Sequence, residues 1–200
     1  MSDTSPRYPR LVRLGDGDLT LRYMQPTDGD ALLRFARSLP EHDLLFLRRD
    51  ITQPAAIASW VRGIARGTIT SVLAERDGGV LGYVTIDRGD VSWSPHVAEL
   101  RVLVAEAMRG KGLGRLLTQE AFALAIELGI EKMVAQMTLD QRGAVAVFES
   151  MGFRPEALLH DHVKDRQGQK HDLLVLCRDL AKFQAQMTAY GLDEALDGDR

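Results

Sequence analysis

The sequence is poor in cysteine and has no long apolar run. Cys177 is the only cysteine among 200 residues, so no disulfide can form within the chain and a reducing compartment is expected. A membrane-spanning helix needs about 18 consecutive apolar residues, and a signal peptide needs a basic segment followed by a shorter apolar one. Neither pattern occurs in the sequence. These absences predict a cytoplasmic protein with no membrane partner.

The sequence also lacks a strong excess of charge of either sign. Its formal net charge is −3, which gives no general attraction to nucleic acid or to an anionic membrane. Hydrophobic residues make up 45% of the chain, an ordinary value for a globular protein. We therefore expect no nucleic-acid partner. We expect a single domain over 1–200, with a core over about 19–178 and loose segments at 1–10 and 191–200.

A strand, a glycine-rich loop and a helix follow one another in the middle of the sequence. Apolar residues alternate with other residues over 98–104, which predicts a half-buried strand with Glu99 on its polar face. From Leu113 to Leu128 apolar residues recur at helical spacing, and Gly129 is the predicted end of the helix. Three glycines and three basic residues connect the two elements: Arg109, Gly110, Lys111, Gly112, Gly114 and Arg115.

This loop is predicted to bind an anion. Backbone N–H groups at the start of a helix carry the positive end of its dipole, and glycine lets a phosphate approach them closely. The alternative, a flexible turn with solvated basic residues, stays open on the glycines alone. A G-x-G-x-x-G motif from Gly110 would need glycine where Arg115 stands, and G-x-x-x-x-G-K-[ST] does not occur. Binding of ATP or NAD by this loop is therefore disfavoured.

Further strands and helices are predicted on both sides of this segment. They are a hairpin or a ragged first strand over 11–23, helices from Pro26 and over about 54–66 with Trp60 in the core, strands over 70–76, 80–88 and 132–138, a short helix capped by Asp140, and a hairpin over 153–178. Segment 40–50 is predicted as a short helix or a loop that covers a pocket. A last helix is expected over 181–190.

Two segments resemble motifs of a known family. Arg109-x-x-Gly112-x-Gly114, directly after the predicted strand, resembles the acyl-CoA-binding motif of the GNAT superfamily of N-acetyltransferases. The segment from Phe148 to Phe153 resembles the Tyr-x-x-x-Gly-Phe signature of the same family. The predicted order of elements over about 19–178 also agrees with the family. The resemblance implies an α/β fold, with a mixed, mostly antiparallel central sheet flanked by helices on both faces.

The resemblance implies an acyltransferase that moves an acetyl group from acetyl-CoA, its co-substrate, to a primary amine by direct transfer in a ternary complex. Main-chain groups of Leu103 and Val104 are then expected to hold pantetheine, and Gln141 stands where the family commonly has asparagine. The residues expected to bind the CoA pyrophosphate are Arg109, Gly110, Lys111, Gly112, Leu113, Gly114 and Arg115. The acceptor is an amine on a small molecule or on a protein. The resemblance also allows a homodimer.

Glu99 is the predicted general base. Alkylamines are mostly protonated near neutral pH, so an acceptor must lose a proton before it attacks. In the alternative interpretation Glu99 only forms an ion pair with Arg101, and the sequence leaves both open. His96, just before the strand, is a weaker second candidate.

Phe148 departs from the family, which often has tyrosine there as the general acid for the leaving thiolate. Phenylalanine has no proton to donate. A non-catalytic acyl-CoA-binding sensor or regulatory module is therefore the alternative to an enzyme.

The terminal hairpin carries His160, His162 and His171, and we expect it on the acceptor side of the molecule. Histidines on a sheet surface are far commoner than metal ligands, and no third ligand spacing is fixed, so no metal is predicted. Cys177 lies in an apolar run and is predicted as a core residue, not as a nucleophile.

Overall fold

The computed structural model describes residues 7–15, 17–44, 47, 49–90 and 92–182. The strands are β1 (Arg10–Leu14), β2 (Gly17–Tyr23), β3 (Ile69–Arg76), β4 (Gly79–Asp87), β5 (Val97–Val104), β6 (Lys132–Thr138), β7 (Arg154–Lys164) and β8 (Lys170–Asp179). The helices are α1 (Gly29–Ser38), α2 (Glu41–Leu44), α3 (Pro54–Ala65), α4 (Leu113–Glu127) and α5 (Arg142–Ser150). No helix among these residues is long and apolar enough to cross a membrane.

Within the described residues the strands form one sheet in the order β1-β2-β3-β4-β5-β6-β8-β7. Neighbouring strands are antiparallel except β5 and β6, which run parallel. Parallel neighbours need a crossover connection, and α4 provides it. The prediction of a mixed, mostly antiparallel sheet is confirmed.

The parallel pair β5–β6 is joined at one end only. Residues 97–99 pair with residues 132–134, whereas β5 continues beside β4 as far as Val104 and β6 continues beside β8. From Leu100 onward the two strands diverge, and a wedge-shaped gap opens in the middle of the sheet. One edge of each strand therefore faces the gap.

Helices cover both faces of the sheet. On one face, Leu113 of α4 and Phe148 of α5 join a core cluster with the strands. On the other face, α1 and α3 build a second cluster in which Trp60 lies 4.8 Å from Tyr83, ring centre to ring centre, and Phe35 lies 6.0 Å from Tyr83. Trp60 is therefore a core residue, as predicted.

Gly82 of β4 sets how closely α4 approaches the sheet. A Cβ at this position would lie 3.3 Å from Leu113, 3.2 Å from Leu117 and only 2.8 Å from the carbonyl oxygen of Leu103. A side chain here would push α4 and the loop before it away from β4. The start of the helix is thereby fixed beside the gap.

The amino-terminal end is attached to the core more closely than the sequence predicted. Tyr8 is buried and donates a hydrogen bond to the carboxylate of Glu120, on α4, at 2.6 Å. Arg10 forms an ion pair with the same carboxylate. Residues 7–10 therefore pack on the domain, while residues 1–6 of the segment expected to be loose lie outside the described residues.

The other predicted elements compare directly with the structure. The hairpins over 11–23 and 153–178 are present as β1–β2 and β7–β8, and segment 40–50 contains the short helix α2. Segment 191–200 and residues 183–190 of the last predicted helix lie outside the described residues.

Candidate active site

A cleft of about 800 Å³ lies in the gap between β5 and β6. Its walls are the facing edges of the two strands, the loop before α4, the start of α5 and part of α2. Pockets for small molecules and cofactors commonly measure about 300–1,000 Å³. The cleft is therefore large enough to hold a cofactor-sized molecule.

The glycine-rich loop has the backbone geometry of an anion site. Gly110 and Gly112 have φ angles of +69° and +89°, a region that favours glycine. Gly112 is the N-cap of α4, and its carbonyl oxygen accepts the hydrogen bond of the Leu116 N–H at 3.0 Å. The N–H groups of residues 113–115 therefore have no acceptor within the helix. They lie at the positive end of the dipole of this 15-residue helix.

The glycine-rich loop is open to the cleft, where the family resemblance predicts the pyrophosphate of acetyl-CoA. The backbone at Gly110 is approachable, because a Cβ placed there would meet no atom within 4 Å. Leu113 is fully buried and anchors the start of the helix, whereas Arg109 and Arg115 are exposed at the cleft. Of the seven described loop residues predicted to bind the pyrophosphate, Lys111 is the one that does not line the cleft.

The main chain of β5 offers hydrogen-bonding groups to the gap at Val104. The N–H of Ala105 donates to the carbonyl oxygen of Leu81, on β4, at 2.8 Å. The C=O of Val104 shares that peptide plane and points the opposite way, toward the gap. By the alternation of an antiparallel strand, the main-chain groups of Leu103 are directed toward β4 and those of Val102 toward the gap. Of the predicted pair, Val104 therefore has the orientation that a pantetheine-binding strand needs.

Gln141 lines the cleft at the start of α5. It is the N-cap of this helix, and its side-chain oxygen accepts a hydrogen bond from the N–H of Thr138 at 3.3 Å. The prediction that Asp140 caps the helix is wrong, because the helix begins one residue later than that cap requires. The carboxylate of Asp140 instead lies 3.2 Å from the Nε2 atom of His42.

Glu99 lies on the opposite face of the sheet from the loop, where β5 and β6 begin to separate. It lines a small cavity of about 40 Å³ and forms an ion pair with Arg101. Arg101 and Leu47 line both this cavity and the cleft, so the two spaces adjoin at the gap. The predicted ion pair is thus present, and it stands beside the gap. His96 is exposed and is not among the described residues that line either space.

Phe148 forms part of the cleft wall and is 6% exposed. Its ring stands edge-on to Phe153, with 4.9 Å between the ring centres. It therefore supplies an apolar surface and no proton.

Cys177 lies on β8, where it pairs with Val134 of β6. Burial, together with a hydrogen bond to Glu156, raises the pKa of its thiol to about 11. The thiol is therefore protonated near neutral pH, and the prediction that Cys177 is no nucleophile agrees with its environment.

The histidines of the terminal hairpin have carboxylate partners. His160 lies 3.1 Å from Asp172, and His171 lies 2.9 Å from Asp165. Val163, not His162, pairs with His171 across the strands. Among the described residues no group of three His, Cys, Asp or Glu side chains could hold a metal ion.

Sequence reasoning missed the contacts of α2. This helix lies across the mouth of the cleft, and three consecutive residues each contact a different element. Asp43 forms an ion pair with Arg109 of the loop. His42 contacts Asp140, and Glu41 lies 3.1 Å from Arg166 in the turn between β7 and β8. The charged run Glu-His-Asp was the available signal, but the sequence does not say which partners lie opposite.

The N–H groups at the start of α4 border a gap between two parallel strands, an arrangement suited to an acyl-CoA-dependent transferase. The chain belongs to the acetyltransferase (GNAT) family, whose model matches residues 32–153. The predictions of a GNAT fold, of acetyl-CoA as co-substrate and of acetyl transfer to an amine are confirmed, and the alternative of a non-catalytic sensor is not favoured.

Three similar proteins illustrate the range of the family. The Bacillus subtilis (strain 168) protein named "Putative phosphinothricin acetyltransferase YwnH" is 26% identical over 165 residues, covering 82% of this chain and 100% of that protein. A GNAT superfamily phosphinothricin acetyltransferase from Sinorhizobium meliloti, solved in complex with AcCoA, has a TM-score of 0.70 and 21% identity, covering 80% of this chain and 88% of its own.

The third is a ribosomal-protein-alanine N-acetyltransferase from Brucella melitensis, with a TM-score of 0.70 and 25% identity. That alignment covers 80% of this chain and 98% of that one. The names of these proteins indicate different acceptors on the same fold. The family therefore fixes the reaction but not the acceptor.

Proposed function

We propose that this chain acetylates a primary amine of a small molecule by direct transfer from acetyl-CoA. The observation that carries the proposal is the position of the gap between β5 and β6. The cleft with the anion-binding loop lies on one side of it, and the small cavity with Glu99 lies on the other. Two substrates bound on opposite faces of the sheet would meet at the gap, so positioning alone supplies much of the rate.

Acetyl-CoA supplies the acetyl group as a thioester. The backbone amides at the start of α4 are proposed to hold its pyrophosphate, and Arg109 and Arg115 add positive charge beside them. The main chain of Val104 and the side chain of Gln141 are proposed to bind the pantetheine arm. The pantetheine arm would then form hydrogen bonds with the edge of β5 beyond residues 97–99, where β6 no longer pairs with it.

Glu99 is proposed as the general base for the acceptor. Its carboxylate lies at the joined end of the gap and takes a proton from the incoming ammonium group, which frees the nitrogen lone pair. The nitrogen then attacks the thioester carbonyl, the new C–N bond forms as the C–S bond breaks, and the thiolate of CoA leaves with the electron pair. The nitrogen releases its second proton to water, which leaves a neutral amide. The partner Arg101 holds the carboxylate in place before the acceptor binds.

Neither Cys177 nor Phe148 takes part in proton or acyl transfer in this proposal. The thiol of Cys177 is buried with a raised pKa, which supports transfer without an acylated cysteine. Phe148 donates no proton, but thiols have a reference pKa of about 8.5, so a thiolate leaves without one near neutral pH.

A small-molecule acceptor is favoured over a protein by the size of the cavity. About 40 Å³ accommodates a compact polar group, and α2 lines the cleft beside the glycine-rich loop. A protein amine is the alternative. A homodimer and a cytoplasmic location remain predictions from the sequence.

The test is a calorimetric titration of the protein with acetyl-CoA, followed by measurement of CoA release with a panel of amines. Binding, together with amine-dependent release, is expected for the natural sequence. Gly112→Glu should abolish binding, because it adds strain and a negative charge where the pyrophosphate is proposed to lie. The matched control is Gly78→Glu, which changes another glycine of positive φ, in the β3–β4 turn, that does not line the cleft. No binding by the natural sequence would overturn the proposal.

A further inference from the structure

Two carboxylates face each other directly on strands β4 and β5. Asp87 is the cross-strand partner of Glu99, and both side chains line the small cavity beside the gap. Like charges placed opposite each other destabilise a sheet. Positive charge beside the two carboxylates would offset this repulsion.

Two arginines supply that charge from different directions. Arg101, two residues along β5, pairs with Glu99, and Arg49, from the segment after α2, lies 3.3 Å from Asp87. All four side chains line the same cavity, and their formal charges sum to zero. The side chains of Asp87 and Glu99 are 13% and 14% exposed, so the pairs are largely withdrawn from water.

We propose that this charge quartet, Arg49, Asp87, Glu99 and Arg101, binds an acceptor that is itself a zwitterion, an α-amino acid acetylated on its α-amine. The inference rests on the proposed function of the gap. The ammonium group lies between the two carboxylates, where Glu99 receives its proton, and the carboxylate group binds the guanidinium of Arg49.

The charge balance selects a zwitterion over other amines. A ligand with one positive charge would compete with two arginines for the carboxylates and leave guanidinium charge poorly paired. An uncompensated charge in a partly buried site is costly. A ligand with adjacent positive and negative groups exchanges partners with the existing pairs, so every charge stays paired before and after binding.

Arg49 is the member of the quartet most able to change partners. Its side chain is 40% exposed, against 21% for Arg101. It also comes from a connecting segment, whereas Arg101 is fixed within β5. A guanidinium binds a carboxylate through two parallel hydrogen bonds, which fixes the direction of the bound group.

A chain of buried hydrogen bonds fixes the floor of the cavity. The indole N–H of Trp60 donates to the hydroxyl of Ser71 at 2.9 Å, and this hydroxyl lies 3.2 Å from that of Thr85. Thr85 lines the cavity and is the cross-strand partner of Arg101. The quartet therefore stands on a rigid base, and the cavity of about 40 Å³ takes the charged head of an amino acid while its side chain extends outward.

The test measures kcat/KM for the common L-amino acids, each beside its α-amide and the amine that lacks the carboxylate. At least one amino acid should exceed both of its analogues by about tenfold or more, the usual discrimination for a site that pairs a charged group. Arg49→Gln should remove this preference by raising KM for the amino acid, and should shift kcat/KM in favour of the amide and the amine, because the cavity then carries a net negative charge. Arg49→Lys should restore part of it.

Arg13→Gln, which changes an exposed arginine on β1, is the matched control and should change none of these values. Equal use of the amino acid and its amide, or an equal loss for all acceptors in Arg49→Gln, would overturn the inference. Acetyl-CoA affinity is measured for every variant. If amines are acetylated but no amino acid is preferred over its analogues, this inference alone is wrong. If acetyl-CoA does not bind, or if no amine is acetylated, the proposed function itself is wrong.

Discussion

Asp43 of α2 and Arg109 of the glycine-rich loop form an ion pair across the mouth of the cleft. The same guanidinium is proposed to face the pyrophosphate of acetyl-CoA. Asp43 therefore competes with the pyrophosphate for Arg109 and also repels its negative charge.

The first prediction is that Asp43→Asn tightens acetyl-CoA binding. Partly exposed ion pairs contribute about 0.5–1 kcal/mol, so the dissociation constant should fall about two- to fivefold. Calorimetry at low and high salt measures the change, which should shrink as salt screens the charges. Asp30→Asn, an exposed aspartate on α1, is the control. Weaker binding by the Asp43 variant would show that α2 supports the cofactor instead of competing with it.

The second prediction concerns Glu99. If its carboxylate is the general base, Glu99→Gln should lower kcat by about 10²–10⁴-fold and leave acetyl-CoA affinity unchanged. The residual rate should rise with pH in proportion to the deprotonated fraction of the acceptor amine. Steady-state kinetics between neutral and alkaline pH measure both effects, with Glu131→Gln on the surface as control. Unchanged kcat would leave only the ion-pair role for this residue.

The third prediction tests direct transfer. Cys177→Ala should keep most of the activity, because the buried thiol, with its pKa raised to about 11, carries no acetyl group. Mass spectrometry of the intact protein after incubation with acetyl-CoA, without acceptor, should show the unmodified mass. An added acetyl group that is lost in Cys177→Ala would demonstrate a covalent route.

The fourth prediction links pH to stability through Asp28. Burial alone would raise the pKa of this carboxyl, but hydrogen bonds from Arg22 at 2.7 and 2.8 Å and from the backbone N–H of Gln25 outweigh it and lower the pKa. A lowered pKa in the folded state gives stability that is present above the ordinary value of 3.8 and is lost as pH falls below it.

Asp28→Asn should therefore reduce the free energy of unfolding at neutral pH by about 1–3 kcal/mol, the usual range for hydrogen bonds to charged groups. The difference from the natural sequence should shrink as pH falls below about 3.8, because the unfolded chain takes up the proton first and the folded carboxyl follows at its lower pKa. Urea unfolding at several pH values measures both quantities, and Asp30→Asn again serves as the control. A difference that does not change with pH would assign the effect to packing.

The backbone geometry of the glycine-rich loop could be predicted from the sequence because it depends on local residues. The order of strand, loop and helix places the amides at the helix start, and glycines at 110 and 112 have the positive φ angles that their residue type favours. The orientation of Glu99 away from the loop also follows from the strand alternation. These features depend on neighbours in sequence.

The contacts of α2 and the charge quartet depend on residues far apart in sequence. Arg49 meets Asp87 only because the chain returns through α3 and β3, and Asp87 lies opposite Glu99 only in one register of β4 and β5. The place where β5 and β6 separate is set by the pairing of 97–99 with 132–134. The pattern of apolar residues within one segment carries no information about these long-range contacts.

Binding of acetyl-CoA along the edge of β5 that faces the gap should also affect the stability of the folded protein. A ligand that binds only the folded chain raises the free energy of unfolding, by about 2.7 kcal/mol at a concentration of one hundred times its dissociation constant. A cofactor bound along the edge of β5 at the gap would contact a strand in the middle of the sheet. The concentration of acetyl-CoA would then affect how fast proteases degrade the enzyme as well as how fast the enzyme works. The amount of enzyme would rise and fall with the concentration of acetyl-CoA.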